Sequence, residues 1–441
     1  MAQVGIIGAG LAGSEAALQL AAAGIGVTLF EMRPHVTSPA HEGSRCAELV
    51  CSNSFKSDDG ATAAGLLKRE LEHLGSKLLP FARRCSVDAG AALAVDRVRF
   101  SKLVTRAIEN EPRIELRREE FVFSPDHGFD ALIIAAGPLA SERLTESLSP
   151  LLGTHLSFFD AAAPIISADS IDCAQAFFAS RYGKGSGKDY LNCALDETQY
   201  RAFREALIQA DKVVKRDFES KELFCACQPI EEVARTGEDA IRYGALKPVG
   251  IDDPRTGRWP YALVQLRAED RNRQAYNLVG FQTNLTWPEQ RRVFRMIPGL
   301  EDAEFLRYGV MHRNTFVDAP RLCEDDFSLK RHPYVWLAGQ ITGTEGYTEA
   351  IGSGLYVARN VAARLQGTEP LRLSDKTVLG ALFAYATDEA TMNYQPMHVN
   401  FGLIAPLENR VKNKRDRYAA YAKRSLDELV QMDITNGYLS A

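Results

Sequence analysis

The stretch that decides the fold lies at residues 4–15 and reads Val4-Gly5-Ile6-Ile7-Gly8-Ala9-Gly10-Leu11-Ala12-Gly13-Ser14-Glu15. A short apolar run enters a G-x-G-x-x-G turn, and an Ala-rich segment of high helix propensity follows at 16–23. This order of strand, glycine turn and helix is the context that a dinucleotide-binding fingerprint requires. The glycines let the backbone approach a pyrophosphate at the helix N-terminus, where unpaired N–H groups and the helix dipole favour negative charge.

The segment after this helix supplies an acidic residue where a nucleotide ribose would lie. Residues 27–30 predict a second strand, and Glu31 follows it, 18 residues beyond Gly13. A carboxylate at about this spacing accepts hydrogen bonds from ribose hydroxyls. A glycine-rich turn without a ligand is the alternative, but strand, helix, second strand and terminal acid together favour a nucleotide site. The first predicted set of cofactor-binding residues is Gly8, Ala9, Gly10, Leu11, Ala12, Gly13, Glu31 and Arg33.

The composition is that of a chain with a large core. Its 441 residues suffice for two or three domains, and 46% hydrophobic and 25% charged residues are ordinary for a globular protein. The net charge of −5 gives no global sign of nucleic-acid binding, so any such surface must be a local patch. Eight scattered cysteines without a C-x-x-C pair favour reduced thiols in a cytosol and no metal site. We expect no signal peptide and no membrane span, because no basic residue precedes Arg33 and no apolar run reaches about 18 residues.

A second strand, turn and helix pattern lies near the other end of the chain. Residues 334–340 predict a strand ending in Ala-Gly, a glycine-rich turn follows at 343–349, and a helix is expected at about 350–365. The apolar run at 129–138 predicts a buried strand that completes the first nucleotide-binding half. Two phosphate-facing turns indicate FAD better than NAD alone, because NAD needs only one contiguous unit. The second predicted set of cofactor-binding residues is Gly137, Gly339, Gly346, Tyr347 and Glu349.

These patterns predict an α/β protein whose two ends build one domain. We expect an FAD-binding, doubly wound Rossmann-type domain of the two-dinucleotide-binding flavoprotein class, with an inserted α+β domain. Residues 1–150 would form the N-terminal part of the FAD domain and residues 151–325 the inserted substrate or folate domain. Residues 326–441 would form the C-terminal part of the FAD domain and a basic tail.

The middle of the chain is richer in aromatic residues and charged helices. Residues 264–266 and 276–282 predict strands, and residues 288–296 predict a short helix that exposes Arg291, Arg292 and Arg295. If residues 224–229 form a strand, Cys225 and Cys227 point to one face, although two buried structural thiols are the simpler explanation. The basic loop at 181–188 is expected to be flexible and solvated, with phosphate binding as the alternative.

The tail carries a cluster of cations with interleaved aromatic residues. Clustered cations beside aromatics attract a nucleic-acid backbone and its bases, whereas a solvated helix face is the commoner explanation of a charge run. The residues predicted to contact RNA are Arg410, Lys412, Lys414, Arg415 and Arg417, with Lys423 and Arg424 nearby.

Several sequence words stand together in one order along the chain. They lie at residues 8–17, 30–34, 39–41, 47–54, 90–97, 189–193, 246–250, 278–283, 309–315 and 345–349. In these words the chain resembles the folate- and FAD-dependent tRNA (uracil-5-)-methyltransferase family, TrmFO, from residue 4 to about 420. The same words set it apart from the longer GidA-type flavoproteins.

The resemblance implies transfer of one carbon from methylenetetrahydrofolate to C5 of a uracil, with FAD as cofactor and NADH or NADPH as reductant. Uracil C5 is a poor nucleophile, and addition of a thiolate to C6 turns the ring into an enolate that is nucleophilic at C5. A thiolate suits this step because it is strongly nucleophilic at an accessible pKa. The substrate implied is uridine 54 in the T-loop of tRNA, in the cytoplasm and without an obligate protein partner.

The resemblance also assigns site residues. The two functional cysteines of the family map onto Cys227, expected as the nucleophile toward C6, and Cys51, expected as the general base, and these roles could be reversed. Tyr347 is implied as the residue that stacks on the isoalloxazine. The residues implied to line the folate pocket are His312, Arg313 and Asn314, with a hydrogen-bonded core imidazole as the alternative for His312.

Three other functions stay open from the sequence. The same chemistry could act on a uridine of 23S rRNA. A flavin-dependent oxidoreductase acting on a small molecule would need neither folate nor RNA. A non-catalytic flavin-bearing RNA-binding protein is disfavoured by the presence of both cysteines and Tyr347.

Overall fold

The structure is a computed structural model that describes residues 2–38, 40–153, 156–183, 185–213, 228–409 and 411–435. In these ranges the strands are β1 (Gln3–Ile7), β2 (Gly26–Phe30), β3 (Ser54–Ser57), β4 (Ser86–Val87), β5 (Ala92–Val95), β6 (Ile114–Arg117), β7 (Ala131–Ile134), β8 (Leu156–Ala161), β9 (Ile165–Ser167), β10 (Ala176–Ala179), β11 (Tyr190–Leu195), β12 (Ala262–Ala268), β13 (Ala275–Leu278), β14 (Phe305–Arg307), β15 (Met311–Phe316), β16 (Ser328–Leu329) and β17 (His332–Leu337).

The helices of the same ranges are α1 (Leu11–Ala22), α2 (Ala63–His73), α3 (Leu78–Arg84), α4 (Arg97–Glu109), α5 (Glu142–Leu152), α6 (Glu197–Gln209), α7 (Ile230–Arg235), α8 (Ala240–Tyr243), α9 (Trp287–Phe294), α10 (Ala319–Leu322), α11 (Tyr347–Gln366), α12 (Val378–Thr387) and α13 (Lys414–Thr435). None of them combines the length and the apolar composition needed to cross a membrane.

A six-stranded sheet joins the two ends of the chain. Its order is β16-β17-β7-β1-β2-β6, and every pairing is parallel except that of β16, which lies antiparallel at the edge. Ile134 pairs with Ile7 of β1 on one side and with Leu337 of β17 on the other. The strands of both chain ends therefore finish side by side, at the carboxyl edge where ligands bind in such sheets.

The inserted part has a sheet and a core of its own. The antiparallel sheet runs β10-β11-β12-β13-β9-β14, and all seven residues of β12 are buried. One hydrophobic core draws on residues between 163 and 303, and the other on residues 4–152 and 316–429. The predicted α/β class with an inserted α+β part is confirmed, whereas the domain limits at 150 and 325 stay predictions.

Several element limits differ from those predicted. The strand predicted at 276–282 ends at Leu278, and the helix predicted from about 350 already begins at Tyr347. Arg291 and Arg292 are exposed as predicted, but Arg295 is half-buried because its guanidinium donates to the carbonyl of Ala303 at 2.9 and 3.1 Å. These ends depend on tertiary contacts that a local pattern does not contain.

A fully buried carboxyl joins three helices of the FAD-side core. Glu70 of α2 accepts hydrogen bonds from the backbone of Val378 at 2.8 Å and Leu379 at 3.0 Å, at the start of α12, and from the hydroxyl of Ser425 on α13. Burial raises the pKa of Glu70 from 4.5 to about 7, against the lowering effect of these hydrogen bonds. Between pH 4.5 and about 7, Glu70 keeps a proton in the folded chain that it has lost in the unfolded chain.

We therefore expect the free energy of unfolding to fall as the pH rises from 4.5 to about 7, by up to about 3 kcal/mol for Glu70 alone. Glu231, whose pKa burial also raises to about 7, contributes in the same window. Glu70→Gln should flatten this slope in denaturant titrations at several pH values. The exposed Glu72→Gln variant is the control, and an equal slope in Glu70→Gln and the wild type would contradict the prediction.

Candidate active site

A cleft opens at the carboxyl edge of the parallel sheet. Its walls come from both ends of the chain, because the turns after β1, β2, β7 and β17 all reach it. The predicted cofactor-binding residues that line it are Gly8, Gly10, Leu11, Ala12, Glu31, Arg33, Gly137, Gly339, Gly346 and Tyr347.

Two helices begin at this cleft, α1 at Leu11 and α11 at Tyr347. In the described part of the chain, no side chain caps either helix start. An added Cβ at Gly10 would meet no heavy atom within 4 Å, so the backbone there borders open space. Two helix N-termini around such a space fit the pyrophosphate of a dinucleotide such as FAD.

The ribose end of the cleft carries an ionised carboxylate. Glu31 accepts hydrogen bonds from Nε of Arg33 at 2.8 Å and Nη2 at 3.0 Å, and from the backbone of Ala9 at 3.2 Å. Burial opposes ionisation, but the hydrogen bonds and charge of Arg33 hold the pKa of Glu31 below its usual range. Arg33 is itself buried and also donates to Glu48 at 2.8 Å. Glu31 is therefore fixed as a hydrogen-bond acceptor at the cleft wall.

His41 lines the same end of the cleft. Burial and the charge of Arg33 lower the pKa of His41 to about 4, so the imidazole is neutral near pH 7. Its Nδ1 lies 2.6 Å from the hydroxyl of Ser38. A neutral ring in this position presents an apolar face and one hydrogen-bonding nitrogen to a ligand.

Three predicted cofactor-binding residues lie behind the cleft wall. Ala9 is fully buried, and Gly13 packs so closely that a Cβ there would lie 1.9 Å from the carbonyl oxygen of Gly8. Glu349 is buried and accepts from the backbone of Val399 at 3.3 Å and from Lys56 at 3.5 Å. Their place in the fold is to support the turns and the start of α11.

Cys51 lies beside the cleft, held by the residue at the start of α11. The hydroxyl of Tyr347 accepts hydrogen bonds from the backbone of Cys51 at 2.9 Å and Ser52 at 3.2 Å. The thiol of Cys51 donates to the carbonyl of Ala161 at 3.7 Å, and Val50 lines the cleft. The structure thus brings Cys51 and Tyr347 together from positions 296 residues apart.

Two guanidinium groups, of the half-buried Arg97 and the buried Arg267, hold the chain on both sides of Cys51. Arg97 donates to the carbonyl of Leu49 at 3.1 Å and to Glu269 at 2.6 Å. Arg267 donates to Oδ1 of Asn53 at 2.7 Å. Glu269 is the carboxylate paired with Arg97, so the two guanidinium groups and this one carboxylate leave a net positive charge beside the chain that flanks Cys51.

Some of the remaining predicted residues lie outside the described ranges of the chain. Cys227 and Arg410 lie outside the described residues, as does Cys225. His312, Arg313 and Asn314 lie on β15, which pairs with β8, and Asn314 is buried. The structure does not describe the side chains of His312 and Arg313. The backbone of Thr315 donates to the carbonyl of Pro138 at 3.0 Å, so β15 touches a residue of the cleft wall.

The basic tail forms the start of α13. Lys412, Lys414 and Arg415 are exposed, whereas Arg417 is half-buried. The rings of Tyr418 and Tyr421 pack on Phe401, with centroids 4.4 and 5.5 Å away. These two tyrosine rings are therefore packed within the fold. The hypothesis that the tail contacts RNA depends on its exposed cations.

Removing the hydroxyl of Tyr347 should disorder the chain around Cys51. In Tyr347→Phe the ring still packs on Phe55, but two backbone N–H groups lose their acceptor, a cost of about 1–3 kcal/mol. We expect turnover to fall about tenfold with flavin content unchanged, measured by steady-state kinetics. Tyr356→Phe, which removes a hydroxyl bonded to the carbonyl of Asp325 on the same helix, is the control. Equal turnover in both variants would contradict this role.

Sequence reasoning missed several residues of the site. His41 and Glu48 were visible within the sequence words at 39–41 and 47–54 but received no role. Arg97 begins α4 within another such word, and its position next to Cys51 depends on the tertiary fold. Arg267 carried no sequence signal, because it reaches Asn53 across 214 residues.

Comparisons with known proteins show the family and the fold of the chain. A protein family described as "Glucose inhibited division protein A" matches residues 3–369. The chain is 54% identical to the Geobacter sulfurreducens protein named "Methylenetetrahydrofolate--tRNA-(uracil-5-)-methyltransferase TrmFO" over 97% of this chain and 98% of that one. It is 50% identical to the Thermotoga maritima protein of the same name, with the same coverage.

Among solved structures, GidA from Aquifex aeolicus superposes with a TM-score of 0.71. The match covers 99% of this chain and 74% of that one at 17% sequence identity. At this identity the likeness concerns the fold.

Proposed function

The chain belongs to the TrmFO family of methylenetetrahydrofolate--tRNA-(uracil-5-)-methyltransferases, and from this premise we propose that Cys51 works beside the flavin in the methylation of uridine 54 of the tRNA T-loop. The family membership makes the protein a folate-dependent enzyme that uses FAD to methylate a tRNA uracil at C5. The observation that supports the role of Cys51 is its backbone hydrogen bond to the hydroxyl of Tyr347, at the start of the helix that faces the cleft.

FAD, when bound, supplies the redox chemistry that turns the folate one-carbon unit into a methyl group. Gly10 and the N-termini of α1 and α11 would hold its pyrophosphate, and Glu31 would accept from its ribose. These residues would bind and orient FAD. The proton and carbon chemistry at the uracil requires other side chains next to them.

The uracil ring must be activated before C5 can take up a carbon unit. We propose that Cys227 adds through sulfur to C6 of the uracil, which moves electron density to C5. Cys51 then accepts the C5 proton at its sulfur after the carbon bond has formed. Once the transferred carbon has been reduced to a methyl group, the C6–S bond breaks, the sulfur of Cys227 leaves with its electron pair, and the C5–C6 double bond is restored. The exchange of these two roles is the alternative, and both assignments need Cys51 within reach of the base.

The polar network around Cys51 fits this task. Arg97 and Arg267 fix the chain at Leu49 and Asn53 and add positive charge near the sulfur. Glu269 holds Arg97 in place from the inserted part of the chain. An anionic sulfur or an enolate is stabilised in such a field, which water cannot screen when the groups are buried.

Further assignments complete the proposal. NADH or NADPH is the reductant, the cytoplasm is the compartment, and the exposed cations of the tail contact tRNA phosphates. The target uridine must leave its stack to reach the flavin, which costs a few kcal/mol. Phosphate contacts of the tail offset part of this cost, and their strength falls with salt.

Label transfer tests the proposed function directly. The FAD-loaded protein is incubated with a tRNA transcript, NADPH and isotopically labelled methylenetetrahydrofolate, and the RNA is digested to nucleosides. We expect label in 5-methyluridine, and its loss when uridine 54 of the transcript is replaced by cytidine. A 23S rRNA fragment tests the other acceptor. Flavin reduction without label in either RNA would overturn the proposal in favour of an oxidoreductase acting on a small molecule.

A further inference from the structure

Three aromatic rings of the inserted part form a parallel stack that reaches the surface. The rings of Phe305 and Tyr308 lie 5.1 Å apart with an angle of 8° between their planes. Trp287 continues the stack on Tyr308 at 5.2 Å and 12°. We call Phe305, Tyr308 and Trp287 the aromatic stack. Its inner end meets the core, because Phe305 lies 6.5 Å from the buried Phe294.

The outer ring of the aromatic stack is open to solvent. Trp287 is 57% exposed, and Leu306, next to Phe305 in sequence, is 55% exposed. Near-parallel rings with centroids about 5 Å apart form an offset stack, which is a preferred arrangement of aromatic pairs in proteins. Bases also stack on exposed aromatic side chains through their flat faces. A further flat ring can be added to the free face of Trp287 without rearranging the other two rings.

Cations lie beside the aromatic stack. Arg291 donates to the hydroxyl of Tyr308 at 2.6 Å and is exposed, as is Arg292 one residue later. Glu289 pairs with Arg292 at 2.5 Å and leaves Arg291 without a carboxylate partner among the described residues. The first turns of α9 thus present an exposed indole next to a net positive charge, which suits a ligand with a flat ring and a negative backbone.

The aromatic stack is tied to the segment that carries Cys51. Arg307 stands between Phe305 and Tyr308 in sequence and donates to the carbonyls of Ala40 at 2.7 Å and Val50 at 3.1 Å. Val50 precedes Cys51 and lines the cleft. Arg307 therefore links the strand that carries Phe305 to the segment that precedes Cys51.

We propose that Trp287 stacks on an unpaired base of the RNA substrate, a neighbour of the target uridine in its loop, while Arg291 faces the phosphate of that nucleotide. This inference rests on the proposed function and adds a contact for the RNA. A nucleobase fits better than a free pterin, because the open face of Trp287 lies on the surface, where a small ring would gain little burial. A base within an RNA loop arrives tethered by its backbone, so a single stacking face can hold it.

Substitution of Trp287 in the FAD-loaded, full-length protein tests the contact. Loss of one base stack weakens binding by about tenfold. We therefore expect Trp287→Ala to raise the KM for tRNA about tenfold, with kcat and the KM for methylenetetrahydrofolate unchanged. Trp287→Phe, which keeps a flat ring, should restore most of the affinity. Trp259 is 56% exposed and has no ring neighbour among the described residues, so Trp259→Ala is the matched control and should behave as the wild type.

Fluorescence gives a second measurement that does not need turnover. In a Trp259→Phe background, the remaining tryptophans are Trp287 and the fully buried Trp336. Titration with tRNA should quench the emission of Trp287, and Trp287→Phe should remove that quenching. Far-UV circular dichroism and flavin content show whether each variant is folded.

The outcomes separate this inference from the proposed function. Unchanged tRNA affinity and quenching in the folded Trp287→Ala variant would overturn the contact while methyl transfer by the wild type stands. A rise in the KM for folate alone would assign the stack to the pterin and overturn the RNA contact. Quenching by tRNA without label transfer in the wild type would support the contact and reject the proposed reaction.

Discussion

Replacement of Cys51 by alanine should abolish methyl transfer to tRNA while the protein keeps its flavin. Cys51 is held beside the cleft by its backbone hydrogen bond to Tyr347 and its thiol hydrogen bond to the carbonyl of Ala161. Both roles open to it, general base and nucleophile, act on the uracil and not on the bound cofactor. Removal of a general base lowers a rate by about 10²–10⁴-fold, so label in 5-methyluridine should fall to background.

The control for Cys51→Ala is another free cysteine. Cys173 is exposed on the inserted part and has no place in the cleft, so Cys173→Ala should methylate tRNA at the wild-type rate. The absorbance of bound flavin and its reduction by NADPH should be the same in both variants. Methyl transfer by Cys51→Ala within a few-fold of the wild-type rate would remove Cys51 from the mechanism.

The sequence was informative where function depends on local geometry. The glycine turn at residues 8–13, the acid that follows β2 and the second turn before α11 were each readable, because strand, turn and helix are adjacent in the chain. Tyr347 and Cys51 were found through the resemblance. Their contact across 296 residues required the structure.

The contacts that could not be predicted join residues that are distant from each other in the sequence. Arg267 lies within a buried strand whose apolar pattern hides one charged residue, and its partner Asn53 comes from the other core. Trp287 begins α9 and Tyr308 follows β14, 21 positions further along the chain, so no periodicity joins them into a stack. Single-sequence patterns report which face of an element is buried, and they do not report which faces meet.

Replacement of Gly10 by valine should yield a folded protein that no longer retains FAD. A Cβ at Gly10 would meet no protein atom within 4 Å, so the free chain has room for the new side chain. That room is part of the cleft where the pyrophosphate would approach the backbone at the start of α1. Overlap of two methyl groups with a bound ligand costs about 1–3 kcal/mol, which weakens FAD binding by up to about 100-fold.

Gly13→Val and Gly237→Val are the two variants with which Gly10→Val is compared. At Gly13 a Cβ would lie 1.9 Å from the carbonyl oxygen of Gly8, so Gly13→Val should lower the free energy of unfolding even without cofactor. At Gly237 the nearest atom to a new Cβ is 3.9 Å away and lies outside the cleft, so Gly237→Val should retain both stability and flavin. Denaturant unfolding of the flavin-free proteins and titration with FAD separate the two effects. Because the Gly10 variant alone combines normal stability with weak FAD binding, tight binding by that variant would place the cofactor away from the first glycine turn.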